Sequence, residues 1–185
     1  MAADIPFDVS YDLPDGLRAE PCDPVEMAHA VDWLEGQAAA SHQLPARSRL
    51  LGLAGGYAGM LRQLDRADGL LRRAIAIADY DGETRQGIVL RIRLADLVAL
   101  AGDPHAAIRA LEPLLATCQA DAHLADLVDV TYQHLGKALL EAGHHQEAIA
   151  HLEHALELRR HKADPALLAS TQATLQTARR LRPDT

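Results

Sequence analysis

The sequence repeats itself with a period of about 40 residues, and this repeat limits the folds open to the chain. An alanine recurs at Ala67, Ala107 and Ala148. The stretch before each alanine has apolar residues at three- and four-residue steps, the spacing of an amphipathic helix. Repeats of this length predict a solenoid, in which each helix pair buries its apolar faces only against its neighbours.

The composition also favours helices. Alanine and leucine, both good helix formers, are abundant, while aromatic residues make up only 3% of the chain. Strands favour aromatic and β-branched residues, so a β-sandwich or β-barrel is excluded. Proline and glycine signals such as Asp23-Pro24 and Asp164-Pro165 separate the helices. We predict an all-α fold with eight helices, over about 24–40, 46–61, 65–79, 83–100, 104–119, 121–142, 144–161 and 165–181.

The third repeat carries the clearest motif. It places an aromatic residue, a Leu-Gly pair, a turn glycine and spaced small residues at Tyr132, Leu135, Gly136, Leu139, Gly143, Ala148, Leu152 and Ala155. This motif resembles the tetratricopeptide repeat, and the second repeat keeps much of it. The first repeat has Arg62 where the turn glycine usually stands. The resemblance implies a right-handed α-α superhelix of about three helix pairs (residues 46–82, 83–120 and 121–161) with flanking helices and a capping helix at 164–181.

Two features refine this resemblance. The family's unit has about 34 residues, so the spacing here is similar to the long-repeat variants of kinesin light chains and of some bacterial regulator sensor domains. Small residues recur in the first helix of each pair, at Gly55, Ala95 and Gly136. We expect these small residues, with the repeated alanines, to let the helices of a pair approach closely.

Charge is distributed unevenly along the chain. The net charge of −8 excludes a generally basic nucleic-acid-binding protein. Six acidic residues fall within residues 1–24, whereas the C-terminal region is basic at Arg159, Arg160, Lys162, Arg179, Arg180 and Arg182. Prolines interrupt residues 1–23. We therefore predict an acidic arm there, extended or disordered, followed by a single helical domain over residues 24–185.

The resemblance also implies a binding groove on the concave face, lined by the first helix of each pair. Carried over position by position, the groove residues are Arg49, Gly52, Gly56 and Gly59 in the first pair, Val89, Ile92, Asp96 and Ala99 in the second, and Val130, Gln133, Lys137 and Leu140 in the third. This set lacks the paired lysine and asparagine residues with which chaperone-binding repeats of the family clamp a carboxylate.

Three of these glycines share one face of their helix, because they are spaced by four and three residues. Glycine inside a helix costs about 1 kcal/mol against alanine, so a compensating contact is expected. Two kinds of packing partner could supply this contact at Gly52, Gly56 and Gly59. One is an extended segment or helix, such as the acidic arm or a partner; the other is tight packing of the helix over 23–40.

The residue types that act as metal ligands, nucleophiles or redox groups in other proteins form no functional motif in this sequence. His144, Glu147, His151, His154 and His161 share one face of the helix over 144–161, and a solvent-exposed face explains them without a metal. No serine lies in a nucleophile motif, so we predict no enzyme activity and no cofactor. The two cysteines, Cys22 and Cys118, form no CxxC motif. The chain start does not resemble a signal peptide, and no apolar run approaches the length of a membrane span, about 20 residues.

These observations predict a bacterial cytoplasmic scaffold that binds a protein or peptide through the groove, with no nucleic-acid or membrane partner. The charge distribution adds a homo-oligomer hypothesis, in which the acidic arm of one chain binds the basic end or the glycine-lined groove of another. The alternative is a ligand-sensing regulatory module that controls a separate effector protein.

Overall fold

A computed structural model describes residues 4–181 of the chain. Arg182, which the sequence analysis placed in the basic end, lies outside this range. Within it the fold is all-α, as predicted, and has eight α-helices in tandem. These are α1 (Pro24–Ala40), α2 (Leu44–Met60), α3 (Leu64–Tyr80), α4 (Thr84–Leu100), α5 (Pro104–Ala120), α6 (Val128–Glu141), α7 (His145–Lys162) and α8 (Pro165–Leu181). A short antiparallel pair, β1 (Tyr11–Asp12) and β2 (Glu20–Pro21), precedes them.

The helix starts follow from local capping. The Asp23 carboxylate accepts hydrogen bonds from the backbone amides of Val25 and Glu26, at 2.9 and 3.0 Å, and so satisfies two amides that a helix start leaves free. Asp103 caps α5 in the same way, through the amide of Ala106 at 2.8 Å. A proline follows each of these aspartates, where its missing N–H costs nothing.

Two starts differ from the prediction by more than one residue. Helix α2 begins at Leu44 rather than 46, because Pro45 is tolerated in a first turn and does not block it. The segment after Asp121 begins as a 3-10 helix, Ala122–Leu127, and becomes α-helical only at Val128. The Asp121 carboxylate accepts from the amide of His123 at 2.9 Å and starts this tighter turn.

The helix pairs α2–α3 and α6–α7 pack through the same close approach. A Cβ atom added at Gly55 would lie 2.8 Å from Cγ of Leu71 and 3.3 Å from the carbonyl oxygen of Ala67. At Gly136 the corresponding distances, to Leu152 and Ala148, are 2.7 and 3.3 Å. The repeated alanines are fully buried. The expectation that small residues let paired helices approach closely is therefore confirmed at both pairs.

The described residues form two compact units, and the division falls inside α4. Unit 1 contains residues 4–12 and 19–97, and unit 2 contains residues 13–18 and 98–181. The strands β1 and β2 belong to unit 1, while the loop that joins them, Leu13–Arg18, belongs to unit 2. We call this loop the docked segment.

Candidate functional site

The predicted groove residues of unit 1 differ widely in accessibility. Arg49 is exposed, and Gly56 is half-buried with no atom within 4 Å of an added Cβ. Gly52 and Gly59 are buried, and each faces a leucine of α4. An added Cβ would overlap Leu90 at Gly52 and would lie 3.5 Å from Leu97 at Gly59. The helix that packs on this glycine face is thus α4, a third possibility beside the two that the sequence analysis weighed.

The groove residues predicted on α4 and α6 also differ in accessibility. Ile92 is buried, whereas Val89 and Asp96 are half-buried. On α6, Val130 and Lys137 are half-buried, and Gln133 is only 4% exposed. The side-chain amide of Gln133 donates to Thr174, which in turn contacts the docked segment defined above.

In unit 2, the docked segment lies against α6 and α8. It begins with a turn in which the amide of Gly16 donates to the carbonyl of Leu13 at 3.1 Å. The Asp15 carboxylate then accepts from the amides of Leu17 and Arg18, at 2.8 and 3.1 Å. Burial by itself would raise the pKa of Asp15, but these backbone hydrogen bonds outweigh it and lower the pKa. The segment therefore has a defined shape that favours an ionised aspartate.

Gly16 is the point of closest approach between the docked segment and α8. It is buried, and its φ of +73° lies in the left-handed region that favours glycine. A Cβ added there would lie 2.5 Å from the backbone nitrogen of Thr174 and 2.6 Å from the carbonyl carbon of Ala173. Both the backbone conformation and the contact distance thus require glycine at this position.

Two threonine hydroxyls of α8 hold the main chain of the docked segment. Thr177 donates to the carbonyl of Asp15 at 2.7 Å, and Thr174 lies 2.6 Å from the carbonyl of Gly16. A hydroxyl has one proton, and the other acceptor within reach of Thr174, the carbonyl of Ser170, is farther at 3.0 Å. Thr174 therefore donates to Gly16, and both threonines recognise backbone rather than side chains.

A buried polar network of α6 and α7 side chains contacts the Thr174 hydroxyl. The amide nitrogen of Gln133 donates to the Thr174 hydroxyl at 2.9 Å. The amide oxygen of Gln133 faces the guanidinium of Arg159 at 3.5 Å, which fixes the orientation of the amide. Arg159 is 3% exposed, and its Nε donates to the carboxylate of Asp129 at 2.9 Å. Lys162 donates to the other oxygen of Asp129 at 2.5 Å.

The far end of the docked segment carries an ion pair. Arg18 donates to the Glu141 carboxylate near the end of α6, and both side chains are 18% exposed. An ion pair with this little exposure is less screened by water and salt than a surface pair. The docked segment is thus held at two backbone carbonyls and at one charged side chain, by a surface of α6 and α8 that we call the α6–α8 site.

Arg93 of unit 1 is a half-buried arginine of α4 that no sequence motif singled out. Its Nη1 donates to the carbonyl of Gly52 at 2.9 Å. Burial lowers the pKa of Arg93 from its ordinary value, although Tyr57 and Tyr11 act in the opposite sense. The acceptor described for the Arg93 guanidinium is thus a backbone carbonyl and not a carboxylate. Spacing offered a signal here, since Arg93 lies three residues after Leu90 and four before Leu97, on the same buried face of α4.

The histidines of α7 lie in two environments. His154 is exposed, while His151 is half-buried, and both rings pack on Tyr132 with centroid distances of 5.3 and 5.4 Å. Burial, with a smaller effect of His154, lowers the pKa of His151 below its ordinary value. Across residues 4–181, no three His, Cys, Asp or Glu side chains converge in a way that would hold a metal ion.

In the part of the chain that the structure describes, no helix combines the length and the apolar character needed to cross a membrane.

Comparison with known proteins relates one part of the chain to a family. Residues 87–161 match the sequence profile of the tetratricopeptide repeat. A search of curated protein sequences finds no match to the chain. The prediction of the family from the motif of the third repeat is therefore confirmed.

Solved structures support the same fold. One is a crystal structure from Podosopora anserina described as kinesin light chain nearly identical TPR-like repeats; it has 19% identity and a TM-score of 0.57, with 85% of this chain and 87% of that chain covered. A second crystal structure, of a singly substituted form of the same repeats, has 19% identity and a TM-score of 0.58, with 85% and 84% covered. At this identity the likeness concerns the fold.

Proposed function

Since residues 87–161 match the tetratricopeptide repeat, we propose that the chain is a scaffold that binds a protein or peptide on the first helices of its pairs. Such repeats are generally protein–protein interaction scaffolds and are typically non-enzymatic. The observation that carries the proposal is the docked segment, a piece of non-helical chain held in unit 2 by α6, the first helix of the third pair, together with the flanking helix α8.

The contacts of the docked segment are those of peptide recognition. Hydrogen bonds to main-chain carbonyls supply affinity that does not depend on side chains, and a charged contact adds selectivity. Thr174 and Thr177 provide the first kind, and Glu141 provides the second. The half-buried Val89 and Val130, predicted from the family's groove, offer apolar area beside polar groups on the same helices.

Site-specific photo-cross-linking in the native host tests this proposal. A photoreactive amino acid at Val89 or Val130 is expected to form an adduct with a partner protein. Matched control positions are Arg73 on α3 and Glu112 on α5, which are exposed and lie on the second helices. Adducts at the two valines and none at the controls support the proposal. Adducts only at the controls, or none at any position, contradict it.

Self-association is a second candidate, and the docked segment also favours it. A segment that fits the α6–α8 site of its own chain has the chemistry to fit the same site of another copy, as in domain swapping. Light scattering coupled to size exclusion, at low and high salt, tests this idea. A dimer that dissociates on Glu141→Gln substitution supports it, because that change removes the charge facing Arg18. A monomer at all protein concentrations and both salt concentrations rules it out.

A further inference from the structure

The α6–α8 site is occupied by the docked segment of the same chain, and the contacts of that segment indicate which other peptides fit the site. The site binds a turn in which a leucine is followed three residues later by glycine. Glycine is required there because Gly16 has a φ of +73° and lies against the α8 backbone. The site holds an arginine two residues later, because Glu141 faces that position. The two threonine hydroxyls donate to main-chain carbonyls and so add no side-chain requirement of their own.

From these contacts we infer that the docked segment is a resident ligand that keeps the α6–α8 site closed, and that a partner peptide with a glycine followed two residues later by an arginine binds by displacing it. The inference rests on the proposed function and adds to it the chemistry of the partner and a mode of regulation.

Three physical arguments support displacement rather than permanent structure. First, the polar contacts described for the docked segment on α6 and α8 are two carbonyl hydrogen bonds and one ion pair, beside the packing of Gly16. Second, its turn is held by its own Asp15 and Leu13, so it carries its shape with it and loses little entropy on docking elsewhere.

The third argument concerns the receptor. Thr174 receives a hydrogen bond from Gln133, whose amide is oriented by Arg159. The hydroxyl proton of Thr174 is thereby directed toward the position of the Gly16 carbonyl. This arrangement lies on three helices and is buried, so it persists when the docked segment leaves. A site that is preorganised in this way accepts a second ligand at little cost.

The resident segment weakens the apparent affinity for any competitor. The apparent dissociation constant equals the intrinsic constant divided by the fraction of open sites. A docked segment that is bound about 90% of the time thus weakens the binding of a partner roughly tenfold. A substitution that undocks the segment is expected to reverse that loss.

The test measures binding of a labelled peptide with the sequence of residues 11–21 to the full chain by fluorescence anisotropy. We expect Gly16→Ala protein to bind this probe roughly tenfold more tightly than the unsubstituted chain, because its own segment no longer competes. The matched control is Gly82→Ala. Gly82 has nearly the same φ, +74°, but no atom within 4 Å of an added Cβ, so this variant shares the backbone strain and leaves the site unchanged.

Further measurements identify the binding surface. The Gly16→Ala chain with an added Glu141→Gln substitution is expected to bind the probe roughly tenfold more weakly than Gly16→Ala alone, because a charged hydrogen bond is lost. A probe with alanine at the glycine position is expected not to bind. If Gly16→Ala protein has lost its helical circular dichroism, the full-chain variant Arg18→Ala replaces it, since that change undocks the segment without backbone strain.

Several outcomes overturn the inference. Equal affinity of the Gly16→Ala and unsubstituted chains, equal tightening by Gly82→Ala, or binding of the alanine probe each contradict it. A native dimer that becomes monomeric on Gly16→Ala substitution also contradicts it, because the occupant is then a second copy. If these tests fail while Val130 still cross-links to a partner, the proposed function stands and only this inference falls; if cross-linking fails as well, both fall.

Discussion

At the scale of single residues, the turn inside each helix pair requires a left-handed backbone. The residue that adopts it is glycine in the second and third pairs, with φ of +100° at Gly102 and +84° at Gly143. In the first pair it is Arg62, with φ of +61°. Arg62 thus replaces the usual turn glycine but keeps the same left-handed backbone. Its side chain adds strain in that conformation.

The first prediction concerns that strain. Replacing Arg62 by glycine is expected to raise the free energy of unfolding by about 1 kcal/mol, because glycine adopts a positive φ without the steric cost. Urea denaturation measures the change. Arg109→Gly is the matched control, since Arg109 is exposed inside α5, and glycine there is expected to lower stability by about 1 kcal/mol. Destabilisation by Arg62→Gly would refute this account of the turn.

The second prediction separates two adjacent glycines of α2. Gly56→Ala is expected to stabilise the protein by up to about 1 kcal/mol, because alanine favours the helix and the added Cβ meets no atom within 4 Å. Gly55→Ala is expected to destabilise by about 1–3 kcal/mol, because the new Cβ overlaps Cγ of the buried Leu71. Thermal denaturation of both variants measures this difference. Equal effects of the two substitutions would contradict the proposed close approach of α2 and α3.

At the scale of helices, α6 and α7 are joined by a buried ion pair that charge counting misinterpreted. Arg159 counted toward a basic C-terminal region in the sequence, yet it is 3% exposed and paired with Asp129. Its position carried a signal, because it continues the buried stripe of Ala148, Leu152 and Ala155 at the next four-residue step. An arginine on an apolar stripe needs a buried acid, and a search for one on neighbouring helices leads to Asp129.

The third prediction follows from this ion pair. Asp129→Asn leaves Arg159 buried without its countercharge, and we expect a loss of about 3 kcal/mol in the free energy of unfolding. The control is Glu153→Gln, which removes the partner of Arg179 in a pair whose side chains are more than half exposed; exposed pairs contribute at most about 1 kcal/mol. Urea denaturation compares the two variants. A similar, small effect of both would show that the buried pair contributes little.

At the scale of the whole molecule, local signals predicted the helices but not the place where the docked segment binds. Asp23, Asp103 and their prolines act within a few residues, so helix starts near them were readable from sequence. The hydrogen bond between Thr174 and Gly16 joins residues 158 positions apart, and no periodicity indicates such a pair. Of the groove residues carried over from the family, Gln133 contacts the polar network of the α6–α8 site.

The binding role of the first helices stays a prediction from the family, and a direct map of the bound surface tests it. The measurement is the amide NMR spectrum of isotope-labelled, full-length Gly16→Ala protein during titration with the unlabelled peptide of residues 11–21. We expect shifts to concentrate at Gln133 and Glu141 on α6 and at Thr174 and Thr177 on α8. Shifts confined to exposed residues of α3 and α5, or an unchanged spectrum at saturating peptide, would contradict the account.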